Sequence, residues 1–258
     1  MQNKEKVSLT GTADPSDNHS KMNEQIASIK AKINQLKKLD KSYSLFGSQK
    51  HKYRLNSTLP INKIKQFELT HKINLPNEYV AFLMNIGNGG AGPFYGLEPL
   101  ENSLFDDLDY KRPDSLLNPS EPFLHVEPWN LKFNPTVEEE NEEEFQKQLS
   151  LHEEKYYAPE QRNGVLAICN YGCAVSINLV VNGKEYGKIW TDDRGSDGGI
   201  YPSHELGNEN KITFLNWYEL WLDNSFKELG HKPSTPDTIA TEIAEKDGHR
   251  GKPWWKIW

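Results

Sequence analysis

The residues in this chain that could do chemistry are scattered, and their spacing argues against most of it. Cys169 and Cys173 stand four apart. A structural zinc site needs four ligands, and no second Cys/His pair stands at a suitable spacing, so both thiols read as buried structural cysteines. Asp192, Asp193 and Asp197 in the run DDRGSDGG could offer oxygens to Ca²⁺, but the spacing fails the EF-hand loop. The eight His lie mostly in polar segments (His19, His51, His231, His249), with no HExxH pattern and no Gly-x-Ser-x-Gly elbow beside them. Acid pairs abound, but sequence does not place two across a cleft as glycosidase chemistry requires. No catalytic, metal or cofactor-binding residue is expected, and the chain does not read as an enzyme.

Charge is the stronger signal. The net charge is −7 over 258 residues, unevenly spread. Residues 98–160 carry 17 Asp/Glu against five Lys/Arg, whereas Lys30 to Arg54 holds eight Lys/Arg and one acid. Within the acidic stretch, Asp106, Asp107 and Asp109 form one cluster, and Glu138, Glu139, Glu140, Glu142, Glu143 and Glu144 a second. An acidic surface disfavours nucleic acid and anionic membranes and steers basic partners toward itself. These nine acids, with Asp192, Asp193 and Asp197, are the candidate partner-binding residues. A run of like charges also serves simply as a solvated face, and that reading stands beside the first.

The element that organises the chain runs from Leu75 to Leu97, LPNEYVAFLMNIGNGGAGPFYGL. Pro76 suits the first position of a helix, where its missing N–H is not needed. Tyr79, Phe82, Leu83 and Ile86 then fall on one face of a 3.6-residue repeat. Gly87, Asn88, Gly89, Gly90 and Gly92 make a tight reversal, Pro93 bars a return to helix, and Tyr95, Gly96 and Leu97 read with Phe94 as a strand. The order helix, glycines, strand inverts that of a phosphate-cradling loop, so the corner reads as structural.

This compound motif resembles the signature of the SUKH superfamily, the SMI/KNR-type domain. Leu75-Pro76, Tyr79, Phe82-Leu83, Gly87-Asn88-Gly89-Gly90, Gly92-Pro93 and Tyr95-Gly96-Leu97 stand in the family's order. A later block is similar too: a hairpin ending near Trp190, then an aromatic helix with Trp217 and Trp221. Where the family favours Gly-Asp after the first central strand, this chain has Gly172-Cys173. The resemblance implies an α+β fold and a binding protein. Bacterial members are mostly immunity proteins against toxins used between competing bacteria, and fungal members regulate cell-wall synthesis.

The rest of the chain is expected to divide as follows. Residues 1–20 read as a disordered tail, and 21–59 as an amphipathic helix (Ile26, Ile29, Ile33, Leu36) with a linker. Residues 60–230 make one domain in which a helical hairpin and a closing aromatic helix pack on a mainly antiparallel sheet. It is interrupted at about 101–162 by a partly flexible acidic insertion whose helix ends near Tyr156. Val175, Ile177, Leu179 and Val181 alternate as a strand, Asn182-Gly183 signals a type I′ hairpin turn, and the return strand runs to Trp190. Thr213 would cap the closing helix, with Gly230 as its stop. Residues 231–258 form a polar tail with a Trp-rich end, Trp254-Trp255-Lys256-Ile257-Trp258.

No run approaches the ~20 apolar residues of a membrane span, and the first residues show no apolar secretory core, so a cytoplasmic protein is expected. The expected function is an intracellular immunity protein that occludes the active site of a cognate toxin, a nuclease being one such target, without nucleic acid or membrane as partner. The alternative is a non-enzymatic regulatory scaffold of the cell-wall-regulator type.

Overall fold

A computed structural model describes residues 15–232, and the Trp-rich terminus with the first 14 residues lies outside them. The fold is α+β. Among the described residues six α-helices, α1 (Pro15–Leu39), α2 (Ser48–His51), α3 (Ile61–His71), α4 (Asn77–Asn85), α5 (Glu142–Tyr156) and α6 (Phe214–Glu228), accompany one antiparallel sheet. Its strands, β1 (Val165–Gly172), β2 (Val175–Val180), β3 (Ile189–Asp193) and β4 (Gly199–Pro202), lie in sequence order. No helix among the described residues is long and apolar enough to cross a membrane.

The period-two alternation of strands gives the sheet two unlike faces. Leu166, Ile177, Leu179 and Ile189 point into a large core with α1, α4 and α6. The spacing of Ile26, Ile29, Ile33 and Leu36 brings all four to the face of α1 that packs on α6. Aromatic edges lock α4 to α6: Tyr79 meets Phe214 at 4.8 Å and Phe82 meets Tyr218 at 4.8 Å. Trp217 is fully buried and Trp221 nearly so. The N-terminus of α6 is capped from another helix, because the Thr213 side chain makes no cap bond and Glu78 Oε2 instead accepts Leu215 N–H at 2.9 Å.

The glycine corner after α4 is a structural knot. Gly89 and Gly90 have φ of +79° and +100°, and a Cβ on Gly90 would lie 2.4 Å from Arg54 O. The amides of Asn88, Gly90 and Ala91 donate to Ser57, Leu97 and Arg54 carbonyls. Asn88 ties the corner to the next segment, accepting Leu100 N–H and donating to Glu101.

Four expectations are corrected. Helix α1 starts at Pro15, so residues 15–20 are helical; proline is tolerated in a first turn. Residues 94–97 are no regular strand: Phe94 and Gly96 have positive φ, and Leu97 makes only single bridges to Gly90 and Cys169, followed by a 3₁₀ turn at Leu100–Asn102. Asn182-Gly183 is no two-residue hairpin turn. Asn182 is drawn away to Ser120 O and Phe123 N–H, and the chain loops through Lys188 before β3 begins. The thiol of Cys173 is exposed, in the tight turn between β1 and β2, while that of Cys169 is buried. The acidic insertion packs on the sheet. Leu108, Leu117, Phe123 and Trp129 cover the second face of the sheet against Val165, Ala167, Val180, Trp190 and Ile200. Trp129 exchanges backbone hydrogen bonds with Ile200.

Candidate functional site

The second face of the sheet is apolar at one end and polar at the other. Strand register sets Asn170 beside Ser176 and Ser176 beside Asp192, a polar row across β1, β2 and β3. The insertion does not cover this row completely. A cavity of about 270 Å³ opens above it, walled by the Asp106–Asp109 loop on one side and by Tyr157, Arg194 and Gly195 on the other.

A buried ion cluster makes the floor. Arg162 sits on the 3₁₀ turn after α5, and Arg194 opens the turn after β3. Arg194 grips Asp192 through two bonds, Nε to Oδ1 at 2.8 Å and Nη2 to Oδ2 at 2.9 Å, and its Nη1 donates to Tyr156 O. Arg162 Nη2 donates to Ser176 Oγ and Asn178 Oδ1 at 3.0 Å each, and Nη1 to Asp106 O at 2.7 Å and to the Asp106 carboxylate. Its Nε lies 3.1 Å from Asp192 Oδ2, an ion pair by distance, but the N–H is angled away and has no hydrogen-bond acceptor. Burial pushes the Asp192 carboxyl up, yet the charges of Arg162 and Arg194 outweigh it and hold the group below its ordinary range. The guanidinium of Arg194 also lies 5.8 Å from the centre of the Tyr157 ring.

The rim is acidic and only half engaged. Asp107 Oδ1 accepts the amides of Asp109 and Tyr110, and Asp109 Oδ1 accepts Asn170 Nδ2 at 2.6 Å. The second oxygen of each accepts no hydrogen bond from the described residues. No His or Cys lines the cavity, and among the described residues no group of three or more His, Cys, Asp or Glu is arranged to hold a metal ion. What the arrangement can do is bind: most of the guanidinium donors are engaged internally, and the second carboxylate oxygens of Asp107 and Asp109 at the rim accept no bond from the described residues.

The twelve acids singled out in the sequence therefore separate. Asp106, Asp107 and Asp109 come together at the rim. Asp192 is buried with both oxygens engaged, so it serves the floor and not a partner. Asp193 is half-buried, with Oδ1 enclosed and unpaired, and Asp197 is exposed at the loop tip with φ of +61°. Glu138, Glu139, Glu140, Glu142 and Glu143 are exposed, while Glu144 bonds to Gln148 and Lys147. This run lies at the far end of α5, about 20 Å along the helix from Tyr156 at ~1.5 Å per residue. Sequence reasoning missed Arg162, Arg194, Ser176, Asn178 and Tyr157. The signal for two of them was present: Ser176 and Asn178 alternate with Val175, Ile177 and Leu179, marking a polar outer face on β2.

Comparison of the chain with protein-family models, with curated proteins and with solved structures gives no match.

Proposed function

We propose that the chain is an immunity-type protein, which binds a cognate protein toxin inside the cell that makes it and covers the toxin's active site. The observation that carries this reading is the cleft, whose buried arginines are largely engaged by Asp192, Asp106, Ser176 and Asn178 and whose rim carries the carboxylates of Asp107 and Asp109. The resemblance of residues 75–97 to the SMI/KNR-type signature supports the same reading.

The mechanism is occlusion by complementary charge. A toxin cleft built to hold a polyanion, such as a nuclease site, is basic, and an acidic face approaches it down a favourable potential. The exposed glutamates at the start of α5 extend that potential beyond the cleft. Proteins with acidic surfaces of their own are rejected by repulsion. The test is protection: a toxin domain that co-purifies with the chain is expressed in cells, which should survive when the chain is co-expressed and die when it is not. Equal killing in both would remove the immunity reading and favour the regulatory scaffold.

A further inference from the structure

We infer that the segment Trp254–Trp258 docks on its own chain, in an aromatic groove beside the C-terminal end of α6. This goes beyond the immunity reading and does not rest on it. The last turns of α6 line the groove with Trp221, Asn224 and Glu228, and Phe94 and Leu206 line it with them, around a volume of about 220 Å³. Asn224 Nδ2 donates to Leu206 O at 2.8 Å and so fixes α6 to the Leu206 loop. Phe46 also lines the groove, yet it is 56% exposed. The apolar surface continues from there. The Phe46 ring lies 5.3 Å from that of Tyr95 and 6.5 Å from that of Tyr171, and both tyrosines are exposed. Scattered exposed apolar side chains are ordinary, but a contiguous aromatic surface opening into a groove marks a docking site.

Tether, charge and shape select the occupant. The described chain ends at Lys232, four residues past Glu228 of the groove. Trp254 follows Lys232 by 22 residues, which extend to ~70 Å at most, whereas the whole of α6 is ~22 Å long. The segment therefore reaches every part of the groove, and its docking is an intramolecular step. The charged residues lining the groove are both acids, Glu205 and Glu228; Lys50, over the Tyr95 ring at 5.0 Å, lies outside that lining. Residues 248–258 carry Arg250, Lys252 and Lys256 and no Asp or Glu. The groove is smaller than the ~300–1,000 Å³ of small-molecule pockets and admits one large side chain. An indole suits it, because aromatic rings gain from edge contacts with one another beyond the area they bury.

Cys173 offers a probe at the site with no change of sequence. Its thiol is exposed while that of Cys169 is buried, and the adjoining Gly172 abuts Tyr95, whose ring would lie 3.0 Å from a Cβ there. A nitroxide is attached to Cys173 of the full chain, and the indole N–H resonances of Trp254, Trp255 and Trp258 are recorded with the label oxidised and then reduced. The expected result is that the oxidised label removes most of their intensity. Phe46→Ser should restore it while the unfolding midpoint stays at the wild-type value, since that side chain is mostly exposed. In unlabelled protein, the triple variant Trp254→Ala, Trp255→Ala and Trp258→Ala should shift the amide resonances of Phe46, Leu206 and Glu228. Full indole intensity beside the oxidised label, no recovery in a folded Phe46→Ser variant, or unmoved amides in the triple variant would each overturn the docking. Mixing nitroxide-bearing protein with isotope-labelled protein that lacks the nitroxide separates the remaining occupant. Broadening that passes between molecules would assign the groove to a second copy and overturn docking within one chain.

Discussion

At the residue scale the ionisable groups held inside the protein set how it responds to pH. His51 is buried beside Tyr53 and Trp221, accepts Tyr53 N–H through Nδ1, and leaves Nε2 without a partner among the described residues. Burial lowers its pKa from 6.5 to about 4, against the opposing pull of Asp40. The depressed folded value means that the neutral ring belongs to the native state. Its contribution to stability is complete above pH 6.5 and is lost as pH falls toward about 4. His125, also lowered by burial, acts in the same direction. Urea unfolding should thus show wild type weaker at pH 5 than at pH 7. His51→Phe should flatten that slope by up to ~1.4 kcal/mol per pH unit, the value of one proton. An identical slope in the variant would place the titration elsewhere. Asp192 behaves as an acid counterpart: held below its usual 3.8, it stabilises above that pH and stops doing so as pH falls through its lower folded value. Asp192→Asn leaves the buried Arg194 guanidinium without a carboxylate, while Arg162 keeps Asp106, and should cost ~3–5 kcal/mol near neutral pH. That deficit should shrink in stronger acid; a neutral substitution would mean that the cluster is hydrated.

Among the elements, the corner after α4 and the closing helix carry the sharpest consequences. Gly90→Ala should lose more than ~1 kcal/mol, since positive φ is strained for alanine and Arg54 O blocks the new Cβ at 2.4 Å. Trp217→Ala should lose ~3–5 kcal/mol from the core. Unfolding midpoints unchanged from wild type in either would contradict the packing described. These were the legible elements. Helical spacing revealed the buried faces of α1, α4 and α6, and glycine clustering revealed the corner, because both signals are local. Residues 101–162 were not legible, since their prolines and acids show no period and their apolar contacts, Phe123 on Trp190 at 5.1 Å among them, are made across the fold. Asn182-Gly183 misled for the same reason: a turn preference of a few residues yielded to bonds with Ser120 and Phe123. The cleft was half legible. Its acidic rim stands together in the sequence, but Arg162 and Arg194 meet Asp192 only after the sheet has formed.

For the whole molecule, what matters is how an acidic surface meets its partner. On the proposed immunity reading, the glutamates at the start of α5, remote from the cleft, act by Coulombic steering and so on the association rate. Changing Glu138, Glu139, Glu140, Glu142, Glu143 and Glu144 to Gln should flatten the fall of that rate with salt, from ~10⁸ toward ~10⁶ M⁻¹s⁻¹, while hardly moving the melting temperature. Stopped-flow association with the purified partner reads this directly, and an unchanged salt slope would reduce the run to a solvated face. The claim on which all of this depends is that the chain silences a toxin by stoichiometric occlusion. The direct measurement is titration of the purified toxin domain's catalytic activity with purified protein. The account predicts a linear loss of activity to an end point at one protein per toxin, with affinity that weakens as salt rises. A complex that forms while the toxin keeps full activity would contradict it.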